Sequence, residues 1–149
     1  MISNFSEYYK LVQYLTSYTK KQLGLTMGVS NFIEIFDEKY YDNLKGGILE
    51  AFGNIFKNNM KIYLYPLLDK ENGETINSNN LKLEDNMKEF YKYFKVNNKI
   101  RDLEFNKEYL EIFSKDILKQ IKNNHQGWED KVPKGISEMI IKNKMFGLK

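Results

Sequence analysis

The chain has 149 residues, 42% hydrophobic and 15% aromatic, which suffices for a buried core and is too apolar for a disordered segment. Its 23 Lys and Arg nearly cancel 20 Asp and Glu, leaving +3, and this balance argues against a dedicated nucleic-acid binder with its concentrated basic face. Absence of cysteine excludes disulfides, thiolate metal sites and cysteine nucleophiles.

Taken in chain order, the first element is a helix over Phe5–Leu23. Asn4 and Glu7 have capping-box spacing, Phe5, Tyr8, Val12 and Leu15 follow at helical period, and Gly24 is a natural stop. Asn31 and Glu34 suggest a second capping box, with Phe32, Ile33, Phe36 and Tyr40 on one face; a strand over Val29–Phe36 is the competing assignment. A third helix is expected from about Gly46, turning Ile48, Leu49, Phe52, Ile55 and Phe56 inward and ending at Asn58-Asn59. Gly53 inside it reads as a point of close packing, because an unneeded mid-helix glycine costs about 1 kcal/mol.

Met60, Ile62 and Leu64 alternate with Lys61, Tyr63 and Tyr65, a strand that Pro66 limits to a strand end or a sheet edge. Asp69 to Asn80 is a polar loop with a turn signal at Asn72-Gly73, or a hairpin connection if Glu74–Ile76 returns to the sheet. A fourth helix over Glu84–Val96 buries Met87, Phe90, Tyr91 and Phe94, and a second short strand follows with Leu103 and Phe105 on one face. Residues 106–124 read as one helix presenting Leu110, Phe113, Ile117 and Ile121. After a loop anchored by Trp128, Pro133 sits at the first turn of a last helix lined by Ile136, Met139 and Ile140. The expected architecture is mainly α (α+β), five or six helices around one or two short strands, as a single domain over 1–149. The asparagine pairs read as compositional bias.

The C-terminal lysines from Lys119 to Lys149 are not interleaved with stacking aromatics and read as a solvated face, so no nucleic-acid partner is expected. No long apolar run and no signal-peptide pattern is present, so no membrane association is expected and a soluble, cytoplasmic protein is.

Chemistry-bearing residues concentrate between Gly28 and Gly53. Glu34 and Glu38 share a helical face and Asp37 lies beside them, a set suited to a hard cation or to acid–base work, or simply to pairing with Lys39 and Lys45. Gly46-Gly47 opens a helix beside Lys45, where free N–H groups suit a small anion, although no phosphate-loop motif is present. Tyr40 and Tyr41 supply aromatic contacts with hydroxyl handles. His125 is the sole histidine, which excludes a multi-histidine metal site and leaves it as a loop residue without an identifiable catalytic partner. No metal and no cofactor is expected.

Three segments together, "GVSNFIEIFDEKYYDNLKGGILEAFGNIFKNNMKIYLYP", "EIFSKDILKQI" and "GWEDKVPKGISEMI" with the following "FG", resemble a module of bacterial nicotinate- or nicotinamide-nucleotide adenylyltransferase-like proteins. The resemblance spans nearly the whole chain. It departs from the family's chemistry: the H-x-x-H or H-x-G-H phosphate-binding turn and the downstream Ser/Thr-rich signature are both missing. What it implies is an accessory module linked to pyridine-nucleotide metabolism, with no catalytic residue carried over. Two functions stand as expectations. One is a non-catalytic binding or assembly module, partnered by another protein or by itself or by a small anion, through Asp37, Glu38, Tyr40, Tyr41, Lys45, Gly46 and Gly47. The other is a small enzyme using carboxylates and tyrosines around Glu34, Asp37 and Glu38.

Overall fold

The computed structural model describes residues 5–148, and Asn4 of the expected capping box lies outside them. The chain divides into two compact units, Met1–Phe105 and Asn106–Lys149, with six α-helices and five strands among the described residues, an α+β architecture.

In the first unit, α1 (Tyr8–Tyr18) is shorter than the sequence suggests. The hydroxyls of Thr16 and Ser17 bond back to the carbonyls of Val12 and Tyr14, and Thr19 turns extended, so the helix ends before Gly24. Glu7 binds the Ser6 hydroxyl and Lys10 rather than capping backbone. Gly24 opens a strand instead of closing a helix. This strand, β1 (Gly24–Gly28), runs directly into α2 (Val29–Glu34), so the helical assignment there holds but begins two residues before Asn31. After α3 (Gly47–Ile55) comes β2 (Lys61–Tyr65), then a hairpin of β3 (Leu67–Leu68) and β4 (Thr75–Ile76), then α4 (Lys88–Val96) and β5 (Ile100–Asp102).

The three longer strands form a parallel sheet in the order β1-β2-β5, with Leu25 beside Ile62 beside Ile100. Lys61–Tyr65 is therefore the central strand, and Pro66 sits just past its end, where no ladder N–H is needed. Parallel neighbours require crossovers, supplied by α2 and α3 between β1 and β2 and by the hairpin and α4 between β2 and β5. Ile62 and Leu64, fully buried, face a layer of aromatics in which Phe52 of α3 meets Phe36, Phe90 and Phe94 at ring separations of 4.8, 4.9 and 5.3 Å. Two inward expectations fail. Leu49 is 66% exposed, because α3 buries Ala51, Phe52 and Ile55 instead. Gly53 is exposed with open space where a Cβ would stand, so it permits no close contact; the close approach belongs to Gly24, against the ring of Tyr63.

In the second unit the single helix expected over 106–124 is broken. A 3₁₀ turn over Lys107–Glu111 stops at Ile112 and Phe113, both extended, before α5 (Ser114–Lys122). Trp128 is buried against Ile117, Ile121 and Ile140, and α6 (Ile136–Lys142) begins after Gly135 in a left-handed conformation, three residues beyond Pro133. Met139, expected inward, is 52% exposed, since only Ile140 of this short helix is buried.

The asparagine pairs have structural work. Asn58, Asn98 and Asn124 adopt left-handed φ just after α3, α4 and α5. The Lys99 N–H then reaches back to the Phe94 carbonyl, and the His125 N–H to that of Gln120, the Schellman pattern that satisfies terminal carbonyls.

Candidate functional site

The residues singled out in the sequence separate into three groups. Glu34 at the end of α2 and Asp37 and Glu38 in the following turn line one groove of ≈ 540 Å³, across from Lys82, Glu84 and Asn86. Ile33, Phe36, Leu83 and Met87 form its apolar lining. The turn is built by local chemistry. Asp37 accepts the Lys39 N–H at 3.1 Å, an N-cap of the 3₁₀ turn Glu38–Tyr41, and its other oxygen pairs with the Lys39 ammonium. That pairing holds the Asp37 carboxyl below the usual carboxylate range and raises Lys39, so Asp37 stays ionised.

Tyr40 and Tyr41 lie apart from the groove, on a smaller hollow shared with Tyr8, Asn31 and Glu34. Tyr40 is exposed, with the Lys39 ammonium 4.9 Å from its ring centroid. Tyr41 is buried, donates its hydroxyl to the Ile35 carbonyl at 2.8 Å, and is pushed well above the ordinary phenol range by burial. It is a core residue rather than a surface contact.

Lys45, Gly46 and Gly47 line neither cavity. The Gly46 N–H, which sequence reasoning left open for an anion, is taken by the Glu50 carboxylate at 2.9 Å, so the start of α3 carries its own counter-charge. His125 is exposed on its loop.

Sequence reasoning missed the far wall of the groove and one polar cluster. Lys82, Glu84 and Asn86 sit in a polar stretch like many others, and nothing local announces that they face Glu34 across the groove. Ser78 is buried; its N–H and hydroxyl both bind Asp102, while Lys95 and Tyr91 converge on its oxygens. These residues are 13 to 24 positions apart in pairs, without motif spacing. Among the described residues no group of three or more His, Cys, Asp or Glu could hold a metal ion, and no helix is long and apolar enough to cross a membrane.

Compared with known proteins, the chain matches no family model, no curated protein and no solved structure.

Proposed function

We propose that the chain is a non-catalytic binding or assembly module whose groove between the Glu34–Glu38 turn and the Lys82–Met87 segment receives a basic, partly apolar segment of a protein partner. The observation that carries this is the groove lining: four carboxylates against one lysine, set around Ile33, Phe36, Leu83 and Met87. An apolar contact supplies area and the carboxylates select a cation, the division of labour common to polar-rimmed interfaces. A small anion is disfavoured there by the same charges, and at Gly46 by Glu50. A link to pyridine-nucleotide metabolism rests on the sequence resemblance alone.

An acid–base enzyme at Glu34, Asp37 and Glu38 is favoured by their sharing one groove and opposed at Asp37 by its pairing with Lys39. The test uses an amphipathic Lys/Leu peptide as probe in calorimetry, with light scattering for self-association. Binding that Glu34→Gln with Glu84→Gln weakens supports the module; a strict monomer that ignores the peptide overturns it. Carboxyl titration by NMR separates the enzyme reading, which requires a groove carboxyl titrating well above the ordinary range.

A further inference from the structure

The parallel sheet has a second face. Strand alternation places Ile62, Leu64 and Ile100 toward the aromatic layer, so Lys61, Tyr63 and Tyr65 of β2 and Arg101 of β5 point to the opposite side. The register sets Thr26, Tyr63 and Arg101 in one row across all three strands. Continuing it by one residue brings Lys99 beside Lys61 and Gly24. Every charged residue in these rows is a cation. Among the described residues, Lys61, Lys99 and Arg101 form no ion pair and the Tyr63 and Tyr65 hydroxyls form no hydrogen bond. Gly24, Thr26 and Arg101 are exposed, and Lys61, Tyr63 and Tyr65 half-exposed.

Gly24 shapes this face. An added Cβ would stand 2.8 Å from Cε2 of Tyr63, so the ring rests against bare backbone on the neighbouring strand. Tyr65 lies two residues along the same strand, about 7 Å away. Two rings on a sheet surface, with Lys61 and Lys99 in the row before Tyr63 and Arg101 beside it, have the composition of a stacking platform: aromatic planes take bases and cations take phosphates. A parallel sheet ordinarily has both faces covered, and this one presents a surface whose charge selects an anionic cover.

We propose that this face binds single-stranded nucleic acid, with Tyr63 and Tyr65 stacking bases and Lys61, Lys99 and Arg101 contacting phosphates. The near-neutral net charge speaks against such a partner only as an average over the whole surface, and the sheet register segregates cations that the total conceals. The proposal is independent of the acidic groove.

The test is fluorescence anisotropy of the full chain with a fluorescein-labelled oligo-dT and oligo-U of about ten nucleotides. Three phosphate contacts predict a log–log salt slope of about −2, so binding weakens on the order of 20-fold between about 50 and 200 mM salt. Arg101→Ala, at an exposed position, reduces that slope by about 0.7. Tyr65→Leu, and Tyr63→Leu beside it, each weaken binding on the order of tenfold and leave the slope unchanged, and an abasic strand of equal length loses a similar factor. No binding at low salt overturns the proposal. So does abasic strand or polyglutamate binding as tightly as the oligonucleotides and indifferently to the tyrosine changes, because the face then serves an acidic polypeptide.

Discussion

Ser78 donates to Asp102 twice, through its N–H at 2.9 Å and its hydroxyl at 2.5 Å, and so ties the loop after β4 to the end of β5. Lys95 adds its ammonium to the Ser78 carbonyl at 2.7 Å and to the hydroxyl at 2.5 Å, and the Tyr91 hydroxyl reaches the same carbonyl. Burial lowers the Lys95 ammonium, and the nearby Asp102 charge works in the other direction. Removing the acceptor leaves two donors of a buried residue unmatched. Asp102→Ala is therefore expected to cost about 1–3 kcal/mol, and Ser78→Ala, which keeps the backbone bond, about 1 kcal/mol. Urea midpoints at constant m-value check this; equal effects of the two substitutions would contradict the assignment of the N–H bond.

Phe52 and Leu49 lie on the same helix with opposite surroundings, 1% and 66% exposed. Phe52 contacts Phe36, Phe90 and Phe94, and Phe56 stacks on Phe94 with centroids 4.4 Å apart. Phe52→Ala should remove about 3–5 kcal/mol, against at most about 0.5 kcal/mol for Leu49→Ala. Denaturant unfolding of both variants decides whether the orientation of α3 is as described.

How much of this was legible in the sequence follows from which interactions are local. The alternation of Lys61–Tyr65, the hairpin turn at Gly73 and the anchoring of Trp128 each reflect period or turn chemistry within a few residues, and all three appear in the fold. Strand β1 was hidden because Gly24–Gly28 holds two glycines and only a single buried residue, Met27; pairing with β2, not propensity, makes it a strand. In the candidate site, Glu34, Asp37 and Glu38 were recognisable as neighbours. The groove they line needed residues 82–87 from beyond the central strand, a juxtaposition created only by the crossovers.

Two phenols should report the folded state at high pH. Burial raises Tyr41, and also Tyr91, the latter to about 12, so both stay protonated where exposed tyrosines ionise. The folded state then holds protons that the unfolded chain releases above pH ~10. The stabilisation from these groups is complete below that pH and is lost as pH climbs toward the folded values. A near-ultraviolet titration should show Tyr41 and Tyr91 ionising late and together with unfolding. Tyr91→Phe should make the loss of stability with rising alkaline pH shallower, since it removes one of the titrating groups, while loss of its hydrogen bond to the Ser78 carbonyl lowers stability equally at neutral pH. Early, reversible ionisation of all tyrosines would contradict the burial of Tyr41.

The contact of Gly24 with Tyr63 predicts a measurable coupling between the two positions. At Gly24 the backbone is outside the left-handed region, so alanine meets no conformational barrier there. Taken alone, Gly24→Ala would stabilise by about 0.4–1 kcal/mol, through the lost freedom of the unfolded chain. With the Tyr63 ring in place, the new Cβ lies 2.8 Å from Cε2 and 3.1 Å from Cδ2, and the ring must shift away from the neighbouring strand. Gly24 is exposed and the ring half-exposed, so the ring gives way without the cost of overpacking a core, and its shift offsets part of that gain. Gly24→Ala should thus stabilise the Tyr63→Leu variant more than it stabilises the natural chain, with a coupling of about 0.5–1 kcal/mol in the double-mutant cycle. An identical effect in both backgrounds would mean that the ring does not rest on Gly24. A ring displaced by alanine would also weaken oligonucleotide binding while Lys61, Lys99 and Arg101 stay unchanged, so the salt slope should persist as affinity falls.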